Sequence, residues 1–328
     1  MTHRAAAFLI CGLQSITAQD AAHAPSFQPS FRSETGIVQV PVSVTDIRGG
    51  SVEGLAARDF VVLSDGVRQE VTLDSSDTGV AKISLAVAVQ TSGISTPALT
   101  KIRRIGGMIQ PLVIGSGGEA AVLSFDDEVA WLQDFTSDSA AIQRAVKDLK
   151  PGAYTQARMF DAIAEVSDRM RHRPGRKVLL VISESRDRGS KINLEQTLEA
   201  LGRQGIEVFA AHYSAYATTW IAKPEDLPDS PGPNLLAIFT ELGRLGKVNA
   251  IEALTQGTGG RDYPFVKERG VENAIEKVGI ELHSQYLLSF SPRGDSKEMH
   301  RIDVSIPGRI DLRVRSRRAW WNGPEIRP

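Results

Sequence analysis

Two kinds of hydrophobic spacing divide the chain. From residue 36 to 73 apolar and polar residues alternate, as in Ile37-Val-Gln-Val-Pro-Val-Ser-Val-Thr45. The runs 60–63 and 69–73 flank the turn Ser64-Asp-Gly66, so this stretch predicts short, half-buried strands. After Gly79 strand-like and helix-like patterns take turns. Strands are expected over 83–89, 119–125, 128–132, 177–183 and 206–212, and helices over 98–110, 139–149, 158–170, 194–203, 248–256 and 267–283. Each helix carries apolar residues three and four apart, for example Ile142, Val146 and Leu149. Lys177-Val-Leu-Leu-Val-Ile182 has almost no polar alternation, as a strand covered on both faces requires. Strands over 285–291, 300–306 and 310–315 end the chain, with Pro307-Gly308 as a turn. The predicted class is α/β, a doubly wound and mostly parallel sheet with helices on both faces, flanked by antiparallel β segments. The boundaries are 25–78 for an N-terminal β-sandwich-like segment, 79–284 for the α/β domain and 285–328 for C-terminal strands packing on what precedes them.

Composition narrows the function. At 328 residues, 41% apolar and 23% charged, the chain can bury one large core and a smaller one. A formal charge of −1, with both signs interspersed, supplies no field for nucleic acid or an anionic membrane. The basic clusters at 169–177 and 309–318 are short and lie inside ordinary apolar periodicity, so they read as solvated faces. His3 and Arg4, the apolar run 5–13 and Ala22-His-Ala24 form a signal-peptide pattern over 1–24, with cleavage after Ala18 or Ala24. Export to a periplasm or the exterior is therefore expected. The apolar run is too short for a stable membrane span, and the single cysteine, Cys11, falls inside it, which leaves the mature chain without disulfides.

The usual catalytic signatures are missing. The histidines are scattered without metal-ligand spacing, which argues against a zinc hydrolase. His212, at a strand end, reads first as a histidine satisfied by hydrogen bonds, and a hydrolase using His212 with Glu184 or Asp187 is the enzymatic alternative to a non-catalytic protein. Gly115-Ser-Gly-Gly118 precedes a strand and so cannot cradle a phosphate, while Gly257-Thr-Gly-Gly260 follows a helix as a cap. Asp126-Asp127 reads as a hairpin turn. Arg313, Arg315, Arg317 and Arg318 beside Trp320-Trp321 read as a solvated, charge-protected edge strand. A long connection over 214–234, with Tyr216, Trp220 and several prolines, leaves a strand at its carboxyl end, where a partner-contact loop or a simple anchor is expected.

The turn that ends the first α/β strand, Gln90-Thr-Ser-Gly-Ile-Ser95, lies where an open α/β sheet places its ligand site. Together with Gly54-Leu, Asp59-Phe60, Asp65-Gly66, Phe125-Asp-Asp-Glu-Val129, Asp134-Phe-Thr136, Phe160-Asp-Ala-Ile163, Arg176-Lys-Val-Leu-Leu-Val-Ile182 and Gln285-Tyr-Leu-Leu-Ser-Phe-Ser291, it resembles the VWFA-related domain of acidobacterial type over about residues 31–321. The resemblance implies a von Willebrand factor type A core, export and the position of a divalent-cation adhesion site. In that site a first loop supplies Asp and two Ser, a second Thr and a third Asp. Those positions align with Gln90, Ser92, Ile94, Ala157 and Glu184 in this chain. Only Ser92 matches; Gln90 lacks the charge, Ile94 and Ala157 lack side-chain oxygen, and Glu184 is a longer carboxylate. The expectation is a degenerate site with no cofactor, on a module that binds a protein or cell-envelope partner through the carboxyl-edge loops. The alternative is a remodelled Mg²⁺ or Mn²⁺ site drawing on Ser92, Ser95, Thr155 and Glu184, with Asp187 alongside.

Overall fold

The computed structural model divides into two compact units, residues 1–34 and 35–328. It describes residues 37–74, 82–92, 95–152, 156–213, 250–265, 270–292 and 298–322, all in the second unit.

The centre is a six-stranded sheet. Its strands are β5 (Ile83–Gln90), β6 (Glu119–Phe125), β7 (Val129–Thr136), β8 (Arg176–Ser183), β9 (Glu207–Tyr213) and β10 (Asp262–Phe265), in the order β10-β9-β8-β5-β6-β7. All pairs are parallel except β6 with β7. Every residue of β5 is buried, as a strand covered on both faces demands. One face carries α1 (Thr96–Ile102), α3 (Ser139–Lys147) and α7 (Gly270–Ser284) over a core that includes Leu85, Val87, Val122, Ile142, Leu180 and Ile275. The other carries α4 (Met159–Met170), α5 (Leu194–Gln204) and α6 (Ala250–Thr258) over Ala86, Leu123, Ile163, Leu179, Leu198 and Leu254. The mixed α/β class with a central, mostly parallel sheet is as the sequence predicts.

Several elements differ from the sequence pattern. The single helix expected over 98–110 is broken. α1 stops at Ile102, a three-residue helix α2 (Gly106–Met108) follows, and the chain then widens into a π-helical stretch, Ile109–Ile114. Gly106-Gly107 interrupts the periodicity, and Gly106 approaches the Gln143 backbone too closely for a longer side chain. β7 extends beyond its expected end to Thr136. β10 was not predicted at all; it is four residues long, contains Pro264 and lies at a sheet edge, where proline is tolerated.

The strands before and after the α/β domain share one sandwich. One sheet runs β13 (Leu312–Ser316), β1 (Val38–Asp46), β11 (Tyr286–Phe290), β4 (Thr72–Leu73). The other runs β14 (Ala319–Trp321), β12 (Met299–Ser305), β2 (Val61–Ser64), β3 (Val67–Gln69). Val40, Val42, Val62, Leu288, Phe290, Ile302 and Trp320 meet between them. Residues from either side of the α/β domain thus build a single β unit.

That unit is fixed to the amino edge of the α/β sheet by a polar cluster. Glu281, near the end of α7, accepts hydrogen bonds from Ser43 Oγ at 3.1 Å and Tyr263 Oη at 2.6 Å, and pairs with Arg315 and with Arg261 at 3.1 Å. Arg176, the first residue of β8, donates to the Leu282 carbonyl and to Gln285 and pairs with Glu207, the first residue of β9. Burial pushes the Arg315 guanidinium down to about 10. This corrects the solvated-edge expectation for the basic run. β13 is indeed an edge strand, but Arg315 and Arg317 turn inward, Arg315 to Glu281 and Arg317 to the Gln39 carbonyl. The opposite, carboxyl edge of the sheet is left facing away from this junction.

Candidate functional site at the carboxyl edge

The loops that leave β5, β6 and β8 meet at the carboxyl edge, joined there by Gly152 and by residues 156–158. Gln90 ends β5 and is 0% exposed. Its Nε2 donates to Ser92 Oγ at 2.7 Å, and its Oε1 accepts from the Glu184 backbone N–H at 2.9 Å. One amide therefore ties the β5 turn to the β8 turn. Ser92 accepts this bond, so its own proton is free for Ser95 Oγ, 3.4 Å away. Burial pushes the Tyr213 phenol above its ordinary range, the Ser95 hydroxyl opposes that shift and the Glu184 carboxylate adds to it. Ser92 and Ser95 are both 0% exposed, so this hydroxyl pair is interior.

Ala157 is buried too, and it is roofed. Its N–H donates to the Arg188 carbonyl at 3.0 Å and its carbonyl accepts from the Arg188 N–H at 2.9 Å. The β8–α5 loop thus lies across the start of α4. Two carboxylates hold it there. Asp161 accepts from Lys191 N–H at 3.0 Å and Ile192 N–H at 3.3 Å and pairs with Arg158 at 2.5 Å. Burial works upward on the Asp161 pKa, but these donors outweigh it and hold it below the ordinary value. Asp187 accepts from Phe160 N–H at 3.0 Å and Ser190 Oγ at 2.6 Å, yet burial dominates and raises its pKa. Ser185, just after Glu184, has a left-handed φ of 79°, an uncommon conformation for a residue with a side chain.

The β6–β7 hairpin adds backbone. Asp126 Oδ1 accepts from the Glu128 N–H at 3.1 Å, as turn chemistry requires, and the Asp127 carbonyl accepts from Arg158 at 3.0 Å. The Gly152 N–H donates to the Thr91 carbonyl at 2.7 Å; a Cβ there would stand 1.8 Å from Asp126 Oδ2.

Of the residues singled out from the sequence, Gln90, Ser92, Ser95 and the Glu184 backbone come together, with Ala157 beneath the same loop. Ile94, Thr155, Tyr216 and Trp220 lie outside the described residues. His212 is hydrogen-bonded: its Nδ1 lies 2.6 Å from Asp262 Oδ1, because Asp262 stands on the neighbouring strand β10. Asp187 is engaged by Phe160 N–H and Ser190, so the carboxylate at His212 is Asp262 rather than the one the hydrolase alternative named. The role of Asp262 carried no sequence signal, since β10 itself was not predicted. Asp161 was visible only as part of Phe160-Asp-Ala-Ile163, with nothing to show what it bonds.

No family model and no curated protein matches the chain. Among solved structures it is similar to an aerotolerance-related membrane protein from Bacteroides fragilis, at 14% identity and a TM-score of 0.43, over 61% of this chain and 98% of that one. The vWF domain of the type V pili tip protein Mfa5 from Porphyromonas gingivalis overlaps at 10% identity and a TM-score of 0.42, over 66% and 99%. Proximal thread matrix protein 1 from the mussel byssus, with a zinc-occupied MIDAS motif, overlaps at 14% identity and a TM-score of 0.44, over 73% of this chain and 50% of that one. What the geometry itself gives is a mixed α/β fold: a mostly parallel six-stranded sheet with one antiparallel edge strand and helices on both faces.

Proposed function

We propose that the chain is an exported, non-catalytic protein-binding module whose carboxyl edge works without a metal ion. The observation that carries this reading is Gln90. A divalent cation at this edge would need carboxylate charge and free oxygen donors from the converging loops. Here a neutral amide stands at the leading position, with its oxygen committed to the Glu184 N–H and its nitrogen to Ser92. Ala157 brings no side-chain oxygen, and among the described residues no cluster of three His, Cys, Asp or Glu is arranged to hold a metal. The residues do not fit a hard dication. The amide does structurally what a bridging ion would do, holding two loops in register. Export rests on the pattern of residues 1–24. Among the described residues no helix is long and apolar enough to cross a membrane.

Calorimetric titration with Mg²⁺, Mn²⁺ and Ca²⁺ tests the reading. The native chain is expected to give no binding heat, whereas a variant combining Gln90→Asp, Ile94→Ser, Ala157→Thr and Glu184→Asp is expected to bind Mg²⁺. Cation binding by the native chain would overturn a metal-free edge.

A further inference from the structure

The geometry points to the β8–α5 loop as the docking surface for an acidic protein segment, gripped by Arg186, Arg188 and Lys191. This deepens the metal-free reading above by naming the chemistry of the partner.

Charge in this loop is sorted by direction. Between Glu184 and Lys191 exposure alternates at first: Ser185 and Asp187 are turned in, while Arg186 and Arg188 are exposed, as is Lys191. The inward carboxylate of Asp187 is spent on Phe160 N–H and Ser190, and that of Asp161 beneath the loop on Lys191 N–H, Ile192 N–H and Arg158. These two carboxylates therefore serve the fold. Its outward cations have no carboxylate partner among the described residues. Arginine in a fixed frame favours carboxylates, because its planar fork can donate two parallel hydrogen bonds.

The frame is fixed. The Ala157–Arg188 backbone pair and the two carboxylate anchors hold the loop before any partner arrives, so little ordering entropy remains to be lost on binding. The interior hydroxyls of Ser92 and Ser95 are fully covered, whereas Arg186, Arg188 and Lys191 of this loop are open to a partner. A protein segment suits it better than nucleic acid or a membrane. The same edge carries the acidic hairpin Asp126-Asp127-Glu128, and the chain as a whole has a formal charge of −1. Both repel an extended polyanion while leaving room for a short run of carboxylates.

The test uses the full chain and a fluorescent glutamate-rich peptide, with anisotropy read at low and physiological ionic strength. Binding is expected, weakening with salt and unaffected by EDTA. Arg186→Glu with Arg188→Glu should weaken it at least about tenfold, whereas the same charge change at Arg144 and Arg171 should leave it intact. Should the reversed chain fail to fold, Arg186→Gln with Arg188→Gln should give a smaller loss in the same direction. Tighter binding of an oligothymidylate or of phosphatidylserine vesicles than of the peptide would overturn the assignment. Peptide binding that ignores the loop substitutions would also overturn it. No peptide binding together with a silent cation titration would sink the docking surface and leave the metal-free edge standing; peptide binding lost in EDTA would sink both.

Discussion

A buried carboxylate and a buried amide of similar shape respond differently to acid, and Asp161 makes the contrast measurable. Its folded pKa is depressed, so its ionised form contributes stability above the unfolded value near pH 4, and that stability is lost as pH falls through the folded value. Asp161→Asn removes the charge that Arg158 and the Lys191 and Ile192 N–H groups address. The expected cost is about 1.5–3 kcal/mol at neutral pH, with the gap to the native chain closing below about pH 4 in urea melts. A gap that persists unchanged into acid would mean that the ionised form of Asp161 is not what holds the loop. Asp187 works with the opposite sign, because its raised pKa makes its ionised form a cost at neutral pH. At this scale the sequence named residues at the candidate site but not what they bond. The second bond of Gln90 goes to a backbone N–H 94 positions away, and the clasp of Asp161 on Lys191 spans 30. No local pattern encodes such partners.

The elements that were legible are those whose surroundings impose one period. β5 and β8 are covered on both faces and read as unbroken apolar runs, while α4 and α5 show one apolar stripe. Legibility failed where a close contact overrode propensity. The π-helical stretch at Ile109–Ile114 is the clearest example, since it packs against α7 through Gly279, where a Cβ would stand 2.1 Å from the Leu112 carbonyl oxygen. In an exposed helix Gly→Ala is stabilising by up to about 1 kcal/mol. Here the sign reverses: Gly279→Ala is expected to destabilise by about 1–3 kcal/mol, as measured by the shift of the urea midpoint. A stabilised Gly279→Ala would show that α7 can move away from the π-helical stretch at no cost. The edge strand β10 was missed for a different reason, being too short and too proline-marked to display alternation.

Across the whole molecule the junction between sandwich and α/β sheet is polar and largely buried, which makes it costly to break from one side. Glu281→Ala would strand Arg315, Arg261, Tyr263 and Ser43 around a missing carboxylate. The expected loss is about 3–5 kcal/mol. Far-ultraviolet ellipticity and tryptophan fluorescence, to which Trp320 and Trp321 in the sandwich contribute together with Trp131 in β7 and Trp220, should then cease to coincide during unfolding. Coincident curves would show that apolar packing alone couples the two parts. The sandwich has a temporal consequence as well. Its first strand emerges from the ribosome early, but Ser43 meets Glu281 only 238 positions later, and β1 finds its neighbours β11 and β13 later still. Until then β1 carries two unpaired edges, while the α/β domain can complete its own sheet from strands nearer in the chain. The strand that precedes the α/β domain is therefore paired only after that domain is made, and until then the alternating apolar run of β1 must stay clear of other chains.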